Sequence, residues 1–261
     1  MLGKLMKYES KAMGRILLPL YIGLLVISGI NRIFLEFLSG STVGSRISAI
    51  TTVIYIFMII AVSIATFILI IIRFYKNFLG DEGYLMFTLP VKTSANLNAK
   101  MLVSSLWSIL SVIVVIVSLV ILLMTSNGWN NITDGISFLS SQFWLEFSTS
   151  NGILIIIEFV IFMLTGVVFG PLLIYASAAI GQLIMKNHKV LGGFVGYLII
   201  STAAQIISLL FMFLPSMNID NLSNTAAVHL VLLMGIVMVA IMNVVLYFIT
   251  HFVLSRKLNL E

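Results

Sequence analysis

The sequence contains no cysteine. Disulfides, thiolate metal sites and cysteine nucleophiles are thereby excluded. Charge is also scarce: 9% of the 261 residues are Asp, Glu, Lys or Arg, against 61% hydrophobic. A soluble domain is nearer half apolar and roughly a quarter charged, so this balance excludes an ordinary water-soluble fold. No GxxxxGK[ST] phosphate loop occurs, and ATP hydrolysis by this chain is not expected. No HExxH zinc motif occurs either. The histidines, His188, His229 and His251, are scattered, and the last two stand too far apart along one segment to share a metal. No serine sits in a nucleophile-elbow context. The apolar segments contain no aspartate, which an aspartate-pair intramembrane protease would need. No catalytic, cofactor-binding or metal-binding residue is assigned. The pI near 9.5 does not point to nucleic acid, because the basic residues sit at the ends of apolar segments, where membrane orientation accounts for them.

What is present is a succession of apolar runs of about 20 residues, the signature of membrane-spanning helices. Barrel strands alternate apolar and polar residues, and these runs do not. The expected fold is an all-α integral membrane protein with spans at 15–38, 47–75, 99–125, 152–185, 191–214 and 227–254. The N-terminal lysines and the apolar run after them resemble a signal peptide, but no small-residue cleavage site follows, so a retained first span is expected.

Six spans put both termini on one side, and the basic residues say which. Lys4, Lys7, Lys11 and Arg15 precede span one. Arg73, Lys76, Lys92 and Lys100 lie between spans two and three, Lys186 and Lys189 between spans four and five, and Arg256 and Lys257 after span six. The connections on the other side carry Arg46, with Arg32 near the end of span one, and neither 126–151 nor 215–226 has a Lys or Arg. By the positive-inside rule both termini and the Arg73–Lys100 stretch are expected in the cytoplasm. Residues 1–14 place Lys4, Lys7 and Lys11 on one helical face and Leu2, Leu5, Met6 and Met13 towards the other. This fits an amphipathic helix in the membrane surface, or a basic flank that only sets orientation. The domains expected are thus an interfacial helix over 1–14 and a six-span domain over 15–261, with a cytoplasmic segment at 74–98 and an outer loop at 126–151.

Span four is long for a hydrocarbon core of about 30 Å. Gly166, Gly170 and Pro171 sit in its middle. Proline removes a backbone hydrogen bond, so a kink or two half-helices are expected there. The Gly166/Gly170 spacing lets another helix approach closely, and Gly192/Gly196 repeats it in span five. Glu158 is the candidate intramembrane polar site, since an acid in hydrocarbon is costly. It faces a polar cavity or a cationic group, or else it snorkels outward or bonds a neighbouring helix. Arg32 and Glu36 are spaced to pair on one helix face, and Gln205 and Asn243 to hydrogen-bond between helices. The 126–151 loop carries Trp129, Phe138, Phe143, Trp144 and Phe147. Its 136–147 stretch reads as a helix on the outer leaflet or as a lid. Asn131-Ile132-Thr133 matches the three-residue glycosylation sequon.

The most informative stretch is RFYKNFLGDEGYLMFTLPVKTSANLNAK, Arg73 to Lys100. Gly80-Asp81-Glu82-Gly83 breaks the preceding helix. Tyr84-Leu85-Met86-Phe87-Thr88-Leu89 follows, and Pro90 ends it. Apolar residues beyond the bilayer usually serve a partner, so this stretch reads as a docking element for a cytoplasmic protein. From Phe74 to Val91 it resembles a segment of ABC-2-type permeases of Gram-positive bacteria, in which a GDEGYL-x-FTLP stretch follows the second span and a Lys100-Met101-Leu102-like sequence opens the third. The resemblance covers about 18 residues; elsewhere only the six-span layout agrees.

The resemblance implies a permease subunit of an ATP-driven exporter in the bacterial cytoplasmic membrane, moving peptides, antimicrobial ones included, or other amphipathic compounds. It implies a second permease subunit, identical or diverged, and a separate cytoplasmic ABC ATPase, which would hold ATP and magnesium. Gly80, Asp81, Glu82, Gly83, Tyr84, Leu85, Phe87, Thr88, Leu89 and Pro90 would form the coupling helix in a groove of that ATPase. The sequence departs from the family pattern in carrying its larger outer segment between spans three and four rather than five and six. The competing expectation is a membrane protein without an ATPase: a secondary transporter, or an immunity or sensor protein that sequesters a ligand.

Overall fold

The computed structural model describes residues 2–37, 41–79, 93–124, 133–135, 137–138, 141, 150–185, 189–216 and 224–257. Gly80 to Pro90, expected to form the coupling helix, and most of the 126–151 loop lie outside the described residues. Among those described, the regular structure is helical, with no strand. Six long helices are described, in chain order: α1 Leu2–Phe37, α2 Thr42–Phe74, α3 Thr93–Leu123, α4 Ser150–Ile184, α5 Lys189–Ser216 and α6 Asn224–Phe252. Wide π-type turns, Tyr75–Leu79 and Val253–Lys257, continue α2 and α6. All six are long and apolar enough to cross a membrane, and the chain is a multi-pass helical membrane protein. Large apolar side chains on every helix are exposed, as lipid contact requires and water would not tolerate.

Two expectations change in detail. Residues 2–14 are helical but not a separate element, because α1 runs unbroken through them for 36 residues, about 54 Å. The one glycine at that junction does not break the helix. Gly14 is buried and lies against Trp107, whose ring would stand 3.0 Å from an added Cβ. Likewise α4 runs through Pro171 as one helix of 35 residues, so of the kink or the two half-helices expected there the second is not found.

Contacts divide the chain into two compact units. One comprises Lys7–Ile70 and Leu106–Glu146. Its apolar helices are joined by hydroxyl pairs, the usual polar links in hydrocarbon. Tyr55 bonds Ser118 at 3.0 Å and Thr66 bonds Ser111 at 3.2 Å, both buried. The Tyr21 hydroxyl donates to the Trp107 carbonyl at 3.4 Å. Buried Asn31 meets Thr51 and Thr52. Arg32 and Glu36 pair at 3.8 Å on the surface of α1, a contact of little energetic weight in that setting.

The other unit comprises Met1–Met6, Ile71–Ser105 and Phe147–Glu261. Here α4 is the central helix and packs against both α5 and α6. Its core is Leu172, Ala176, Ile200 and Leu246. Close approach of α4 and α5 rests on glycine. A Cβ at Gly181 would fall on the Gly192 carbonyl, one at Gly192 on the Gly181 carbonyl, and one at Gly196 on the Ser177 carbonyl. A Cβ at Gly166 or Gly170 would meet nothing within 4 Å. The close helix contact of α4 within this chain therefore lies three to four turns beyond the Gly166/Gly170 pair.

Candidate functional site

Two polar or aromatic clusters in this second unit are candidates for function, and α4 contributes to both. The first lies where α2 ends and α3 begins, on either side of the 80–92 segment. Phe74 and Phe78 are fully buried and pack against each other, with ring centroids 5.2 Å apart. Phe74 also stacks on Tyr175 of α4, at 4.2 Å and 12°. On the α3 side Leu97 is fully buried and Lys100 is 3% exposed. Tyr175 joins the two sides. Its hydroxyl bonds Ser104 at 2.6 Å and approaches the Lys100 carbonyl at 3.4 Å.

The buried ammonium of Lys100 lies 5.6 Å from the centre of the Phe78 ring, within cation–π range. With its amide turned to suit its neighbours, Asn77 accepts from the Lys100 ammonium at 3.2 Å and donates to the Arg73 carbonyl at 3.0 Å. The π-type turn aims Tyr75 towards α5, where its hydroxyl bonds the Gly193 backbone. A Cβ on Gly193 would stand 2.8 Å from that hydroxyl. Such wide turns recur at functional positions in helices. The described residues on either side of the 80–92 segment thus both contact α4, and Tyr75 contacts α5 as well.

The second cluster is the Glu158–His229 pair, linking α4 to α6. His229 Nδ1 stands 2.9 and 3.0 Å from the two oxygens of Glu158. The side chains are 20% and 15% exposed. With a protonated imidazole the contact is an ion pair; with a neutral one, Nδ1–H donates to the carboxylate. Either form partly satisfies a carboxylate that would be costly alone at membrane depth. About two turns further along α4, Asn243 donates to the Thr165 carbonyl at 2.9 Å, a second α4–α6 link. Glu158 and Tyr175 are 17 positions apart on one continuous helix, about 25 Å along its axis.

Glu158 therefore has a partner on a neighbouring helix, and Asn243 makes the interhelical bond expected of it. Gln205 makes no hydrogen bond among the described residues and lines a groove between helices instead. Three features escaped the sequence reading: His229 as the partner of Glu158, Tyr175 as the tie across the α2 and α3 ends, and Gly181 as the contact glycine of α4. The last had a visible signal. Ala176-Ser177-Ala178-Ala179 followed by Gly181 is a denser run of small residues than the Gly166/Gly170 pair. The His229 pairing had none, because 71 positions separate it from Glu158. Among the described residues no group of His, Cys, Asp or Glu is arranged to hold a metal. Comparison with protein-family models, with curated proteins and with solved structures found no match.

Proposed function

We propose that this chain is the membrane-spanning subunit of an ATP-driven exporter of the ABC-2 type. In this reading it works as one of a pair of permeases in a bacterial cytoplasmic membrane. A separate ATPase docks on the 80–92 segment from the cytoplasm, and peptides or other amphipathic compounds are the substrate class. The observation that carries the reading is the way that segment is held. It bears Asp81, Glu82, Tyr84, Phe87 and Leu89, a mixture of acidic and aromatic groups suited to a protein groove, where aromatics contribute most of the binding energy. On its two flanks Phe74, Phe78, Leu97 and Lys100 are buried, and the two sides meet at Tyr175. A displacement of the segment by a partner therefore reaches α4 directly, and α5 through Tyr75, besides the α2 and α3 that it joins.

In this mechanism ATP binding closes the ATPase, the segment moves with it, and the paired permeases exchange inward for outward access. The two states must differ in their contacts for such coupling to do work. The Gly181–Gly192 contact keeps α4 and α5 moving as one element. The Glu158–His229 pair lies at the far end of that element, where its rearrangement can accompany the change of access.

Purification of the tagged chain from its native membrane in gentle detergent tests this. The expected companion is a phosphate-loop ATPase in near-stoichiometric amount, released by Tyr84→Ala combined with Phe87→Ala. Intact protein that comes down alone would overturn the reading. The ionisable pair at membrane depth favours a second reading in that event, a proton-coupled carrier without an ATPase. Transport driven by a pH gradient, and lost in Glu158→Gln, would then be observed.

A further inference from the structure

The face of α5 that carries Gln205 holds a regular polar series: Tyr197, Ser201, Gln205 and Ser208, at spacings of four, four and three. Such spacing aligns side chains on one side of a helix. All four lie inside the Leu191–Phe211 membrane span. They line a groove of about 290 Å³ whose other walls are Phe169 and Leu173 of α4 and Met238, Val239 and Met242 of α6. Hydrocarbon supplies no hydrogen bonds, so exposed polar groups at this depth are costly unless something meets them.

The inventory of the groove defines that something. The Gln205 carboxamide and the Tyr197 hydroxyl have no hydrogen-bond partner among the described residues, and both are exposed. Ser201 donates to the Leu198 carbonyl at 3.2 Å and Ser208 to the Met238 sulfur at 3.6 Å. Each serine oxygen is left able to accept. The groove thus offers a donor and an acceptor from the amide, a phenol, and two acceptor hydroxyls. No lining residue is Asp, Glu, Lys, Arg or His, so a charged head group would be desolvated without a countercharge. The groove has room for a small head group and the start of a chain.

We infer that this groove binds an uncharged amphiphile from the membrane, with hydroxyl or amide groups on its head and an apolar chain against Met238 and Met242. A monoacylglycerol has this chemistry. The inference does not depend on the presence of an ATPase. The chain reconstituted in nanodiscs with a diazirine-bearing monoacylglycerol tests it. Label is expected within 197–208 and 238–242. Unlabelled monoacylglycerol should compete at least tenfold better than the fatty-acid carboxylate of equal length. Gln205→Leu should lower labelling roughly five- to tenfold, the range of one lost hydrogen bond, and Ser201→Ala with Ser208→Ala roughly twofold to fivefold. Both variants change exposed or half-buried positions and leave the α4–α5 glycine contact intact. Even labelling of all lipid-facing helices would overturn the inference, as would unchanged labelling in both variants. The absence of native cysteine makes one further arm clean. Rapid disulfide formation between copies of Gln205→Cys would identify a second copy as the occupant and also overturn it.

Discussion

The two halves of α4 are built by different rules. From Leu172 to Ala179 the helix is largely buried, with Leu172, Ile174, Tyr175, Ala176, Ser177, Ala178 and Ala179 all shielded. From Ile153 to Leu164 most of its large apolar side chains are exposed. The buried half is held by shape: a stacked tyrosine and glycines that let backbones meet. The exposed half is held by polar contacts, Glu158 to His229 and Thr165 to Asn243. Lipid is as apolar as leucine, so an exposed apolar surface gains nothing by leaving it, and association rests on close packing or on polar bonds. One helix uses packing where it meets the residues flanking the proposed coupling segment and polar bonds at the other end. The packed end is suited to transmit a displacement. The polar end is suited to change partners, since a bond can be exchanged without opening a cavity.

The comparison can be broken most severely at Tyr175. Tyr175→Ala empties a site that is 1% exposed, and a loss of about 3–5 kcal/mol is expected, as for buried aromatics in general. The measurement is thermal unfolding in detergent, with Tyr175→Phe losing only about 1 kcal/mol through its hydroxyl. A smaller difference between the two variants would mean that the ring is not the tie described here. Next in size is Gly181→Ala, whose added methyl would overlap the Gly192 carbonyl. Forcing the helices apart should cost about 2–3 kcal/mol, read from the same melts and from the yield of monodisperse protein.

At the polar end, Glu158→Gln and His229→Leu should each cost about 1–2 kcal/mol. The double variant should cost little more than either alone, because both remove one contact. Strict additivity in this cycle would show that the pair is not a link between α4 and α6. The smallest effect belongs to Gly166→Ala, where an added Cβ meets nothing within 4 Å. Stability should change by less than about 0.5 kcal/mol. A large loss there would restore Gly166 and Gly170 as a packing face.

The reading of these sites from sequence alone succeeds and fails for identifiable reasons. The six spans follow from apolar runs, and each run overlaps the helix found there. Glu158 stood out because an acid within such a run is conspicuous wherever its partner lies. Asn243 stood out for the same reason. Of the two small-xxx-small pairs, Gly192/Gly196 meets α4 and Gly166/Gly170 meets nothing among the described residues, because the spacing says that a helix can be approached, not that a neighbour stands there. Gly166 and Gly170 meet the spacing and have no neighbour within 4 Å of an added Cβ, while Gly181 meets Gly192. The continuity of α4 through Pro171 was equally unreadable. A proline removes one hydrogen bond, and whether the helix continues depends on what packs around it; here Leu172, Ala176 and their partners on α5 and α6 hold the following turns.

The chain by itself determined its solvent, its secondary structure and the number of its spans. Each of these depends on local composition: in hydrocarbon every backbone group must be satisfied within its own segment, so a run of apolar residues is committed to helix before it meets a neighbour. The tertiary structure alone decided which residues meet. Tyr175 ties α2 to α3, His229 answers Glu158, and Gln205 opens on a groove, because helix rotation and pairing are set by steric fit and by polar partners tens of residues away. Neither leaves a periodic trace in the sequence.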